Sequence, residues 1–209
     1  MASFIYCILF PALVTLLVLA WADQDREQGH TFYGIETEII DLFNNQGQIS
    51  NGKFCDVMTK CDPVIYGFID IEKPISPWPG AIRRLEDHEY IGGHTNTDNV
   101  RLNKIIGKVI CGGAFNTVNL RVEVYDHDIF TQSDLIEQFN CFFVPHIVAD
   151  SPLLSTWSET RVCKGIHNPN NTRLTYRWRL HALPASACGL RYNEALTLAS
   201  QQKPKRAVV

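Results

Sequence analysis

Net charge is nearly absent from this sequence. Its 19 Lys and Arg are offset by 22 Asp and Glu, leaving a formal charge of −3. A nucleic-acid binder needs a basic face to neutralise phosphates, so no nucleic-acid partner is expected. Catalytic signatures are missing too. There is no G-x-S-x-G, no H-E-x-x-H and no glycine-rich phosphate loop. His88, His94, His127, His146, His167 and His181 are scattered, with no pair at metal-ligand spacing. No enzyme is expected from such a chain. The cysteines never fall in C-x-x-C spacing, which argues against a zinc site. Internal repeats, coiled-coil heptads and low-complexity tracts are absent. After residue 22 there is no second long apolar run, so nothing further along would hold the chain in a membrane.

What is present describes a folded, exported chain. It has 209 residues, 45% hydrophobic and 20% charged, enough for one domain with an ordinary core. The one long apolar run, residues 4–22, ends in Ala20-Trp21-Ala22 and gives way at once to polar sequence. It reads as a signal peptide over 1–22, cleaved after Ala22. An uncleaved signal anchor is the competing reading, because the run is nearly long enough to span a bilayer. Residues 23–32 read as a linker, 33–183 as the domain and 184–209 as a C-terminal tail, basic at its end. Cys7 leaves with the signal peptide. Cys55, Cys61, Cys111, Cys141, Cys163 and Cys188 remain, an even set suited to disulfides in an oxidising compartment. Cys55 and Cys61 are close enough to close one loop; the connectivity is otherwise open. Asn170-Asn171-Thr172 is a sequon for N-glycosylation, which would set Asn170 on an exposed turn. The expected location is extracellular.

The domain reads as strands and turns. Ile35, Thr37 and Ile39 alternate with Glu36 and Glu38, and residues 64–71 form a β-branched and aromatic run. Leu120, Val122 and Val124 alternate with Arg121, Glu123 and Tyr125. Leu174, Tyr176, Trp178 and Leu180 alternate with Thr175, Arg177, Arg179 and His181. Each pattern implies a strand with one buried and one wet face, as in an antiparallel sandwich. Turn-rich stretches separate them. The best helical candidate is the short segment Ser133–Phe139.

Aspartates mark two strand ends. Asp126 and Asp128 follow a strand directly, and Asp134 comes six residues after Asp128. Upstream, Asp56 precedes Asp62-Pro63 by the same interval, just before the apolar run. Residues two apart on a strand point the same way, so Asp126 and Asp128 can aim at one point. A turn can return Asp134 to it, and a neighbouring loop can add Asp56 and Asp62. Each close carboxylate pair costs about 1 kcal/mol even at water-like dielectric. Such a cluster needs protons or a cation, and calcium, with its many oxygen ligands and flexible geometry, suits it better than magnesium.

These segments resemble a known family. VEVYDHDIFTQSDLI is similar to the third calcium loop of C2 domains, and DVMTKCDPVIYGFI to the first. The resemblance implies an all-β, eight-stranded antiparallel C2-type sandwich with its calcium loops at one end, covering roughly residues 33–183. It implies Ca2+ as cofactor, held by Asp56 and Asp62 on one loop and Asp126, Asp128 and Asp134 on another. It further implies calcium-dependent binding to an anionic phospholipid or glycolipid membrane surface. Val57, Met58, Ile129 and Phe130 are the apolar loop tips that could enter it; Phe130 could equally pack on the loop base. Lys53, Lys60, Arg101, Lys104 and Lys108 could form a basic patch beside the loops, or simply a solvated face. The sequence departs from the family at Glu137, where many C2 domains have glycine. A narrower resemblance joins IIDLFNNQGQISNGKFCD, KCDPVIYGFIDI and SDLIEQF to the N-terminal C2-like domain of Notch ligands of the Delta/Jagged type. Their Cys-rich receptor-binding module and epidermal-growth-factor repeats have no counterpart in this sequence. This implies an alternative function, a secreted protein-interaction domain facing a cell-surface receptor, with structural calcium.

Overall fold

Apolar alternation builds two sheets whose inner faces meet. The computed structural model describes residues 32–56, 58–112, 116–128 and 132–201. The expected signal peptide and Cys7, Val57, Ile129, Phe130 and the last residues of the basic tail lie outside them. The strands are β1 (Phe32–Asn44), β2 (Pro63–Asp70), β3 (Glu89–Gly93), β4 (Asn99–Cys111), β5 (Val118–Asp126), β6 (Asp134–Phe143), β7 (Arg161–Lys164) and β8 (Thr172–Ala182). One antiparallel sheet runs β4-β1-β8-β7 and the other β3-β2-β5-β6. Ile35, Ile39, Leu174 and Leu180 from the first sheet meet Ile65, Leu120, Val122, Val124 and Phe139 from the second, all fully or almost fully buried. The fold is therefore the all-β C2-type sandwich that the sequence implied.

Three disulfides pin it: Cys55–Cys61, Cys111–Cys188 and Cys141–Cys163. The last ties β6 of one sheet to β7 of the other. Such bonds persist in oxidising surroundings, and they place the chain's maturation there.

The segment Ser133–Phe139 is not a helix; it enters β6. Val124 pairs with Glu137 and Tyr125 with Leu135, so Ile136 is an extra residue in a bulge. A bulge shifts the period-2 pattern by one residue, and Leu135, Ile136 and Phe139 then imitate a helical stripe. Among the described residues an α-helix lies elsewhere. Helix α1 (Tyr192–Gln201) falls within the stretch read as a tail. The Glu194 carboxylate accepts the Arg191 N–H at 3.1 Å, closing its first turn. Ala195 is buried against Leu183 and Ala187, with Leu198 and Ala199 packed alongside. The Tyr192 ring lies on Gly107 of β4, where a Cβ would come within 2.1 Å of it.

The outer face of β5 is buried and that of β8 is partly covered, contrary to the alternation. Arg121 is 0% exposed beneath the segment that follows β2. Glu123 pairs with His88 at 2.9 Å. Burial alone would lower the His88 pKa, but the hydrogen bond and charge of Glu123, with the Ile82 carbonyl, raise it. On β8, Arg177 and Arg179 pair with Glu38 and Glu36, and Trp157 covers both guanidiniums at 4.9 and 4.5 Å. Charged residues can be interior here because each meets an opposite charge under a covering segment.

His181, next on the same face, is fully buried beside Tyr192. Burial, with Arg179 acting in the same sense against Glu36, lowers its pKa to about 4. The unfolded chain takes up this proton near pH 6.5, so the neutral buried form loses stability as pH falls from there toward 4. The expected loss is about 3 kcal/mol. Denaturant midpoints of the natural protein should fall more steeply across this window than those of His181→Phe. Parallel profiles would contradict the assignment.

Candidate metal site at the loop end

The strand order sends four connections to one end of the sandwich: residues 45–62, 94–98, 127–133 and 165–171. Asp56 and Asp62 lie on the first, Asp126 closes β5, Asp128 lies on the 127–133 connection and Asp134 opens β6. Register does the first assembly: Pro63 lies opposite Asp126, and Asp126 opposite Asp134. Residues directly opposite in an antiparallel pair share a face, so Asp126 and Asp134 stand on one side.

Hydrogen bonds then lock the first loop to the third. The Asp62 N–H donates to Asp126 Oδ1 at 2.6 Å, and the His127 N–H donates to the Asp62 carbonyl at 3.0 Å. Asp126 is 2% exposed. Its carboxyl is pushed above the usual range, first by burial and then by the charges of Asp56, Asp128 and Asp62, against the lowering effect of the Asp62 amide. Four of the five aspartates singled out in the sequence are thus within electrostatic reach of one another's cluster, and Asp134 adjoins Asp126 in the ladder. Asp56 also accepts the Thr59 hydroxyl at 2.7 Å.

The 94–98 connection contributes residues that sequence reasoning missed. Asn96 adopts φ 51°, a left-handed conformation that asparagine tolerates. Its N–H donates to Asp62 Oδ1, and its side-chain oxygen accepts the Lys60 N–H at 3.0 Å. Asp98 Oδ1 accepts the Cys61 N–H at 3.2 Å. Only the turn-rich composition of residues 94–98 hints at this role. The Cys55–Cys61 disulfide bends the same loop, and its sulfurs lie within 4.8 Å of an Asp126 oxygen. Disulfide sulfur offers no thiolate, so it acts as a floor and not as a ligand.

Carboxylate oxygens are the donors calcium takes, and the mutual repulsion at Asp126 is what a cation relieves. Among the described residues, however, no three of these carboxylates lie within 4.8 Å of one another; the one group that close is Asp126 with the two disulfide sulfurs, so the aspartates adjoin without closing around a single point. Among the loop tips, Met58 is 95% exposed. The basic residues do not form one free patch: Lys104 pairs with Glu89 at 3.9 Å and Lys108 with Glu72 at 2.7 Å. Lys53 and Lys60 stay exposed on the first loop.

Among solved structures, a C2 domain protein from Ramazzottius varieornatus superposes with TM-score 0.70 at 28% identity, over 76% of this chain and 94% of that one. The C2A domain of a plant extended synaptotagmin 1 matches with TM-score 0.48 at 10% identity, over 75% and 99%. A Drosophila C2-DSL-EGF1 fragment matches with TM-score 0.46 at 16% identity, over 71% and 67%. No protein-family model and no curated protein matches the sequence. The fold and the first of these likenesses define the class of fold, a C2-type β-sandwich.

Proposed function

We propose that the chain is a secreted, non-enzymatic C2 module that holds calcium at its loop end and docks there on anionic phospholipid or glycolipid. The observation that carries the reading is the meeting of two distant loops at Asp126. Without an ion, this end is negative and repels anionic headgroups. Calcium held by Asp56, Asp62, Asp126, Asp128 and Asp134 would reverse the local sign and leave positions for a phosphate oxygen. Val57, Met58, Ile129 and Phe130 would then enter the interface. In sedimentation with phosphatidylserine vesicles, the protein should pellet with calcium and stay soluble with chelator. Asp126→Asn plus Asp128→Asn should abolish pelleting. Pelleting that ignores calcium would overturn the mechanism.

The pinned first loop favours a second reading, a protein-interaction domain of the Notch-ligand kind in which calcium is structural. The disulfide, Asn96 and Asp98 already fix that loop. Thermal stabilisation by calcium without pelleting would select this reading. At about 1 mM calcium and a dissociation constant of about 10⁻⁴ to 10⁻³ M, the gain is roughly 0.4–1.4 kcal/mol.

A further inference from the structure

The turn between β7 and β8 sits at the same end as the aspartates, and it contains three asparagines in different circumstances. Asn168 Nδ2 donates to the Ile49 carbonyl at 3.1 Å. Asn171 Nδ2 donates to Gln48 Oε1 at 3.0 Å and to Gln46 Oε1 at 3.4 Å. Asn170 is exposed, and its amide makes no hydrogen bond among the described residues. It is also the asparagine of the sequon Asn170-Asn171-Thr172. The turn is held against the first loop by the Asn45 N–H, which donates to the Asn171 carbonyl at 3.0 Å. Gln48 pairs with Phe54 across a small hairpin, and the Ile49 N–H donates to the Lys53 carbonyl at 2.8 Å. Phe54 is 66% exposed. An apolar ring in water and the free acceptor amide therefore share one corner of the loop end.

We propose that Asn170 carries an N-linked glycan and that the sugar covers the hairpin bearing Lys53 and Phe54. A surface approaching this end is then met by the aspartate loops alone. In the transfer, Asn170 Nδ2 forms a bond to C1 of an oligosaccharide borne on a lipid diphosphate. The C1–oxygen bond breaks, the lipid diphosphate departs with the electron pair, and Nδ2 loses one proton. The Thr172 hydroxyl is buried in the fold, donating to Glu137 at 2.6 Å, so the transfer belongs to the nascent chain. The effect on membrane docking rests on the lipid-binding reading above; the glycan and its cover do not.

The test uses the full chain secreted from a eukaryotic host, before and after native treatment with peptide N-glycosidase, beside Asn170→Gln. Intact mass should drop on treatment and match no glycan in the variant. Labelling of Lys53 by a bulky amine-reactive ester, read by peptide mass, should speed up several-fold once the sugar is gone. Calcium-dependent affinity for phosphatidylserine vesicles should rise in parallel. No mass change would overturn the proposal, and unchanged Lys53 labelling would overturn the cover. Faster labelling with no pelleting in either form would sustain the cover and sink the lipid reading instead.

Discussion

Replacing Arg121 with leucine should cost about 4 kcal/mol or prevent folding outright. The guanidinium is fully buried, and it donates to Asp70 Oδ2 and to Asn140 Oδ1, each at 2.8 Å. It also donates to the carbonyls of Lys73, Pro74 and Ser76 at 3.0, 3.2 and 2.8 Å. Trp78 lies over it at 5.7 Å. Leucine would leave the Asp70 carboxylate, also 0% exposed, without a counter-charge. An apolar substitution of both partners often rescues a buried ion pair. Here it should not, because the Ser76 carbonyl would lack its donor and, with the Asp70 carboxylate gone, the Lys73 and Ala81 N–H groups would lack their acceptor, each at about 1–3 kcal/mol. Thermal unfolding should show a drop of about 10 °C or more for Arg121→Leu. Arg121→Leu with Asp70→Leu should recover little of it. Full recovery in the double variant would show that these backbone contacts carry no weight.

Glu137→Gln should cost about 3 kcal/mol, the second-largest effect expected. Its carboxylate is fully buried and accepts four donors. Oε1 takes the N–H groups of Gln138 at 2.9 Å and His167 at 2.8 Å. Oε2 takes the Asn168 N–H at 2.8 Å and the Thr172 hydroxyl at 2.6 Å. Glutamine keeps one acceptor and turns an NH2 group toward the other two donors. Gly165 leaves the necessary room: a Cβ there would lie 2.1 Å from the Thr172 hydroxyl and 2.3 Å from Glu137 Oε2. The loss should appear in hydrogen exchange as faster turnover of the His167 and Asn168 amides, together with a lower denaturant midpoint. Unchanged exchange at both amides would mean that the carboxylate does not hold the turn.

Sequence legibility followed the locality of each signal. The buried sides of β5 and β8 could be read because Leu120, Val122, Val124, Leu174 and Leu180 keep strict alternation and all face the core. β6 could not, because the bulge at Ile136 breaks the period. Helix α1 was hidden because it is short and stabilised by docking, Tyr192 on Gly107 and Ala195 on Leu183. Covered outer faces were invisible because Arg121 and Glu123 become interior only through partners remote in sequence. At the site, the spacings around Asp56–Asp62 and Asp126–Asp134 are local, so they could be read. Asn96, Asp98 and Glu137 act across loops and carry no local mark.

The most direct test is calorimetric titration of calcium into the oxidised, folded domain, alongside the chain in which Asn replaces Asp126 and Asp128. Saturable heat with a dissociation constant of about 10⁻⁴ to 10⁻³ M, absent from the substituted chain, is the expected result. A folded natural domain that takes up no calcium at about 10 mM, well above that range, would contradict a metal-holding role for the joined loops.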